Sequence, residues 1–376
     1  MNVDDNVSLD WDNMLHGIRA QIDFLQTAPR SLYDQWVNMI ANVPLPNHLY
    51  LVGCGDSYYC GMAAEQAFKE FSGVRTIAME ALEFSRYQLE FSETGDWLVA
   101  TSNSGNVSRT VESVIRARKR GLQTWGISYN FEGRLAKEAH DTLFYRYSDV
   151  GFGPGTISYT ASMVSQITLA AALADRVRPT SCAGTELIAQ LTQMSRTLDQ
   201  ALEMVFDQAV DLGRRSASTS QIVVIGAGPN YATALFGMAK QIESAHHNTV
   251  GQELEEWAHE QYFCTHKGTL TIVLAPPGRS RDRAQEQLQA IRDMGGTAAV
   301  VCAASDEETG AMADVDLRVP DTSPSAEWLT PLLYQIPLQI FSYAFAQAIG
   351  SVMLGFDDRE RMRVNFRQIF GSAIHD

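Results

Sequence analysis

Eight chemically capable side chains fall within twenty residues: Lys240, Glu243, His246, His247, Glu253, Glu255, Glu256 and His259. Lys240 and Glu243 stand at i, i+3, which places both on one face of a helix. Two readings suit the set. One is acid–base work, with a glutamate as proton carrier, a histidine as acid or base at a ring oxygen, and a lysine beside a developing oxyanion. The other is an ion pair on a solvated face, contributing little, with a histidine at a helix end. Metal binding is not expected, because no H-E-x-x-H or equivalent spacing is present.

A second set lies at residues 101–108, reading Thr-Ser-Asn-Ser-Gly-Asn-Val-Ser. Hydroxyl and amide side chains surround Gly105 directly before a helical pattern. Free N–H groups at a helix start, its dipole and nearby hydroxyls make a site for a dianionic phosphate. The same composition also suits an ordinary turn and N-cap. Gly53-x-Gly55 and Gly226-x-Gly228 lack the third glycine and the acidic residue of a dinucleotide fingerprint. They read as tight strand-to-helix turns, and no redox cofactor is signalled.

The elements that must position these residues alternate. Residues 1–45 read as helical in two segments, with Met14, Ile18, Ile22 and Leu25 at helical spacing and a second segment over 32–40. Apolar strands are predicted at 49–52, 75–79, 96–101 and 123–128, with helices at 58–71 and 108–120. Ser57 suits the N-terminus of the first of these helices. Helical periodicity resumes over 158–175 and 185–212. The pattern then restarts: strand 221–225, a Gly-rich turn, and a helix to about 244. Gly53, Gly55 and Tyr58 recur as Gly226, Gly228 and Tyr231, each offset by 173 residues. Later elements follow suit, with strand 270–275, helix 281–294 and strand 298–302. The fold expected is α/β: two tandem copies of a flavodoxin-like, doubly wound parallel sheet flanked by helices. In copy two the loop matching 101–108 reads Ala275-Pro276-Pro277-Gly278-Arg279-Ser280. Two prolines remove two N–H donors, so the anion site should belong to copy one.

The boundaries expected are a helical extension at 1–45, a phosphate-binding domain at 46–180, a helical connector at 181–215, a second domain at 216–350, and a tail at 351–376 reaching the active site. Two or three domains also suit 376 residues. The chain is 45% hydrophobic and 19% charged, with net charge −15. That balance argues against nucleic-acid or membrane-surface binding, both of which need spare cations. A phosphate held by neutral donors remains compatible with it. Five cysteines at 54, 60, 182, 264 and 302 form no C-x-x-C pair, so a reducing cytoplasm without disulfides is expected. The acidic N-terminus has no apolar signal region. Residues 328–356 carry no Asp, Glu, Lys, Arg or His. Their prolines and glutamines favour a helix buried between layers or subunits over a membrane span.

Taken together, these residues resemble the sugar isomerase (SIS) family in its double-domain form. Within it they are similar to the isomerase half of glucosamine-6-phosphate synthase and to the fructosamine-6-phosphate deglycases. The matching segments are Gly53 to Tyr58 with Gly61-Met62, Glu83-Phe84 with Arg86-Tyr87, Ser102 to Gly105, and Gly155 to Ala161. Further matches are Gly226 to Tyr231, Gly237, Lys240 to Glu243, the stretch to His259, and Pro331-x-x-Tyr334-x-x-Pro337-Leu338-Gln339. The resemblance implies that Ser57, Ser102, Asn103, Ser104 and Ser108 hold the substrate phosphate. It implies Glu243 as the C1–C2 proton carrier, His259 as the ring-opening residue, often supplied by a neighbouring subunit, and Lys240 beside them. It places Gly55, Asp56, Ser158, Arg367 and Gln368 against the substrate, and it implies a homodimer with the active site at the subunit interface.

Departures from the family shape the function expected. Val107 stands where the family has a donating threonine, and Ser108 compensates. Gln368 stands near the place of a lysine that forms an imine in the synthase, and Gln cannot do so. No cysteine precedes residue 46 to release ammonia from glutamine. The expectation is a cytoplasmic enzyme, independent of metal and redox cofactors, working on an amino- or glycated hexose 6-phosphate. A fructosamine-6-phosphate deglycase or deaminase is favoured over an aldose–ketose isomerase. The alternative is a non-catalytic sugar-phosphate sensor. A metal-dependent hydrolase lacks ligand spacing.

Overall fold

The computed structural model describes residues 10–375. The first nine residues of the expected N-terminal extension therefore lie outside the described residues. The chain enters on α1 (Trp11–Ile40), one helix where the sequence predicts two segments, with Pro29 inside it. A proline inside a helix costs about 3 kcal/mol. Leu25, Leu32 and Trp36 are buried on either side, and each large apolar side chain gains about 1.5–3 kcal/mol on full burial. Burial therefore outweighs the lost hydrogen bond.

There follow β1 (His48–Gly53), α2 (Asp56–Ala67), β2 (Arg75–Glu80), the short α3 (Ala81–Glu83), β3 (Trp97–Thr101), α4 (Ser108–Lys119), β4 (Gln123–Ser128), α5 (Arg134–Glu138), β5 (Asp141–Phe144) and α6 (Ile157–Val177). After α7 (Ala183–Arg215) come β6 (Gln221–Gly226), α8 (Pro229–Ala245), β7 (Val250–Glu253), α9 (Glu256–His259), β8 (Thr269–Ala275), α10 (Arg281–Asp293), β9 (Thr297–Ala303), α11 (Glu307–Ala311) and β10 (Val315–Val319). Helices α12 (Thr330–Ala348) and α13 (Arg359–Phe370) complete the described chain.

The strands form two five-stranded parallel sheets, ordered β2-β1-β3-β4-β5 and β7-β6-β8-β9-β10. The repeat extends to register. Leu51 pairs with Ala78 and Val99, and Val224, 173 residues on, pairs with Gly251 and Ile272. The central strands β3 and β8 are buried along their whole length, as strands covered by helices on both faces must be. In each sheet the chain order reverses between the first and third strands of the copy. The crevice at the carboxyl ends of such a pair is where this topology places ligands.

The chain divides into two compact units. One gathers Gln21–Tyr147, Ile157–Ser195 and the residues from Glu360 on; the other gathers the described residues up to Ala20, Ser148–Thr156 and Arg196–Arg359. The uncharged run at 328–356 is a short turn, the buried helix α12 packed against α8, and a further turn at Met353–Gly355. Among the described residues α6 is the one helix apolar and long enough to cross a bilayer, and 94% of its apolar window is buried inside the protein. All five cysteines are free thiols.

Candidate functional site

In the first copy the turn after β1 is made by Gly55, at φ 54°, a left-handed conformation that side chains disfavour. Gly55 is therefore the N-cap of α2, in place of the Ser57 that the sequence suggested, and no side chain caps this helix. Asp56 and Ser57 fall in its first turn. The N–H groups of Ser57 and Tyr58 close back onto the carbonyls of Cys54 and Gly55 at 3.2 and 2.9 Å.

The loop after β3 is held by its carbonyls. The Asn103 carbonyl accepts from Ser128 Oγ and the Tyr129 N–H, both at 3.3 Å. The Ser104 carbonyl accepts from Asn106 Nδ2 and Asn130 Nδ2, both at 3.0 Å. The Gly105 carbonyl accepts from the Leu135 N–H at 2.8 Å. Gly105 itself sits at φ 65°, where an added Cβ would stand 3.1 Å from Gly133 Cα, so no larger residue fits without strain.

With the carbonyls committed to the protein, the donors are left over. Among the described residues, the N–H groups of Asn103, Ser104 and Val107 reach no acceptor. The first N–H groups of α4 have no intrahelical one, and Val107 caps this helix without a side-chain bond. Ser102 and Ser104 hydroxyls lie 3.5 Å apart. Ser108 is 1% exposed and its Oγ has no hydrogen-bond partner among the described residues. An unsatisfied buried hydroxyl costs about 1–3 kcal/mol, which a bound acceptor would relieve. Asn103 Oδ1 accepts from the hydroxyls of Tyr145 and Tyr147 at 2.9 and 3.3 Å, leaving the amide nitrogen to donate. Burial pushes the Tyr145 hydroxyl far up, so it stays protonated and able to donate. N–H groups, hydroxyls, an amide and a helix N-terminus thus share one loop, a donor set that complements phosphate.

In the second copy the dense cluster separates into local roles. Lys240 and Glu243 on α8 meet, with Nζ 2.5 Å from Oε2, and the Lys240 side chain is wholly buried. Glu253 ends β7 and accepts from the N–H groups of Glu255 and Glu256 at 2.6 and 3.2 Å, opening α9. His247 lies against Thr249 Oγ1 and the Thr219 carbonyl at 3.2 and 3.3 Å. His246 closes α8 in a left-handed conformation. His259, at the end of α9, is 66% exposed and lies 3.6 Å from Glu255. Glu255 is also bound by Arg283 at 2.6 Å, and that hydrogen bond lowers its carboxyl from the usual range. No group of three or more His, Cys, Asp or Glu among the described residues is arranged to hold a metal.

Of the other expected contacts, Ser158 lies half-buried in the first turn of α6, and Arg367 and Gln368 lie exposed on α13. Sequence reasoning missed Ser128, Asn130, Tyr145 and Tyr147, which hold the loop. Their signal was position: Ser128 ends β4 and Tyr145 follows β5, both at carboxyl ends of parallel strands.

The SIS-domain family profile matches residues 46–174 and 217–348. A glutamine–fructose-6-phosphate aminotransferase (isomerizing) of Pyrococcus horikoshii is 25% identical over 306 residues, covering 81% of this chain and 49% of that protein. The chain thus spans about half the length of the curated relatives it matches. The C-terminal domain of glucosamine-fructose-6-phosphate aminotransferase from Francisella tularensis superposes with TM-score 0.80 at 19% identity, over 91% of this chain and 97% of that one. A glucosamine-6-phosphate deaminase from Thermotoga maritima superposes with TM-score 0.66 at 20% identity, over 89% and 96%.

Proposed function

We propose a reaction for this chain on one premise, that it belongs to the SIS-domain family: it is an enzyme acting on a hexose 6-phosphate by proton transfer at C1 and C2. The observation that carries the reading is the donor loop 102–108, with its uncommitted N–H groups and the buried, unpartnered Ser108 hydroxyl. A phosphate fastened there lets binding energy remote from the reacting carbons orient them. The similarity to a glutamine–fructose-6-phosphate aminotransferase and to a glucosamine-6-phosphate deaminase supports the substrate class.

In this reading the sugar ring opens as His259 gives a proton to the ring oxygen, the ring C–O bond breaks, and the anomeric hydroxyl gives up its proton, through water, to restore His259. The Glu243 carboxylate takes the proton from one of C1 and C2 and returns it to the other. Lys240, buried against Glu243, orients that carboxylate and faces the charge that develops on the neighbouring oxygen. Gln368 cannot form an imine, so an already aminated or glycated sugar phosphate is the favoured substrate: the proton transfer leaves a C=N bond at the amine-bearing carbon, water hydrolyses it to the carbonyl, and the amine leaves, which makes deglycation or deamination the favoured outcome. A cytoplasmic homodimer that shares its sites, with no metal or redox cofactor, completes the proposal.

A second reading, a sugar-phosphate sensor, is favoured by one observation: His259 is exposed and engaged with Glu255. The experiment separates the two. A thermal-shift screen with hexose 6-phosphates, amino-sugar phosphates and fructosamine phosphates should give stabilisation, weakened about tenfold by Ser104→Ala through a lost hydrogen bond. Glu243→Gln should keep binding and abolish turnover. Full activity in Glu243→Gln would remove it as proton carrier, and binding without turnover in the wild type would leave the sensor.

A further inference from the structure

Glu112 lies within α4, and its side chain is wholly buried. A buried carboxylate needs partners, because loss of water disfavours its charge. Arg86, from the turn Phe84–Gln88, donates to Oε1 through Nε at 3.0 Å. Arg109, earlier on α4, donates to Oε2 through Nη1. The third donor is main chain: the N–H of His375 reaches Oε2 at 3.0 Å.

Arg109 grips the same segment with its other terminal nitrogen, donating to the Ala373 carbonyl and to Ser372 Oγ. Ile374 packs against the core of the first sheet. Burial opposes ionisation of Glu112, but the Arg86 hydrogen bond, the His375 N–H and the Arg109 charge outweigh it and hold the carboxyl below its usual range. The carboxylate is therefore charged at neutral pH and keeps both arginines occupied.

The donor loop does not use Glu112 directly. Its last N–H groups, however, belong to Ser108, Arg109 and Thr110, in the first turn of α4, and the side chain of that same Arg109 holds residues 372–375. We propose that Glu112 is a positioning residue: through Arg109 and the His375 N–H it fastens residues 372–375 beside the first turn of α4, and so sets how tightly the loop holds a phosphosugar. The affinity part rests on reading the loop as a phosphosugar site; the fastening part does not.

Two measurements on the full chain test it: amide hydrogen exchange over 372–375, and calorimetric binding of fructose 6-phosphate. E112Q should speed exchange in this segment about tenfold or more and weaken binding about tenfold, while E112D, which keeps the charge, restores most of both. Should E112Q fail to fold, Arg109→Gln leaves Glu112 paired with Arg86 and should release the same segment. Unchanged exchange in both variants overturns the fastening. Faster exchange with unchanged affinity overturns the positioning role. If the wild type binds neither fructose 6-phosphate nor inorganic phosphate, the site reading and the positioning role fall together, and exchange alone decides the fastening.

Discussion

The loops after β3 and β8 occupy the same place in two sheets of the same strand order. They follow turns of nearly the same geometry, at Gly55 (φ 54°, ψ −126°) and Gly228 (φ 54°, ψ −133°). Their contents differ. In the first copy the carbonyls of Asn103, Ser104 and Gly105 are bonded to the protein, and the N–H groups of Asn103, Ser104 and Val107 are left over among the described residues. In the second copy Pro276 and Pro277 have no N–H to give, and the protein brings a carboxyl group of its own. Glu327 is 5% exposed. A Cβ added to Gly278 would stand 3.2 Å from its Cδ, and one added to Gly228 would stand 3.8 Å from its Oε1. Arg279 Nε lies 3.8 Å from its Oε2. Donors are thus left over at the crevice of the first copy, whereas in the second a carboxylate side chain lies beside both turns. Backbone topology creates such a crevice, and a few side chains decide whether anything can enter it.

Three substitutions would break or sharpen this contrast. The largest effect is expected from Gly105→Val, which places a β-branched residue at positive φ against Gly133. It should cost about 3 kcal/mol by strain and overpacking, read by urea unfolding. A loss below about 1 kcal/mol would mean that the loop relaxes freely.

Next is Asp306→Asn in the second copy. There Arg281, the first residue of α10, binds Asp306 at 2.6 Å, whereas in the first copy Arg109 serves Glu112 and residues 372–375. The Arg281 hydrogen bond, working against burial, lowers the Asp306 carboxyl from 3.8 to about 2. That shift corresponds to about 2 kcal/mol. Because the folded value is the depressed one, this stability is present in full above pH 3.8 and is lost as the pH falls towards about 2. Wild type and Asp306→Asn should therefore differ at neutral pH and converge in acid. A difference independent of pH would contradict the assignment.

The smallest effect should come from Glu327→Gln, about 1 kcal/mol, because a neutral amide replaces a buried acceptor of similar shape. Unfolding that matches the wild type would show that the charge of Glu327 contributes nothing to closing the second crevice.

The parts legible in the sequence are the ones local physics sets. Strands covered on both faces must be apolar throughout, so β1, β3, β4, β6, β8 and β9 stood out, and the tight turns after β1 and β6 showed as paired glycines. The restart after 173 residues followed from those. The edge strand β2 was expected at 75–79, but the edge strands β5, β7 and β10 were not legible. They are short and only partly buried, so their composition is that of loops, and only pairing with a neighbour makes them strands. The two helical segments expected before Pro29 and after it are one helix for a related reason: burial overrides a local breaker.

The candidate site divides along the same line. Residues 101–108 announced their donors by composition, and the i, i+3 spacing of Lys240 and Glu243 announced their contact. Which donors remain free was not in the loop's own sequence, since Ser128, Asn130, Leu135 and Tyr145 occupy its acceptors from other elements. Nothing in the sequence around Glu112 sets it apart within α4; Arg86 and the His375 N–H reach it only through the tertiary fold. Residue type and spacing determined what chemistry each segment could offer. Tertiary structure decided which groups are spent on holding the fold and which are left to act, because a hydrogen bond or a charge made within the protein is no longer available to a ligand.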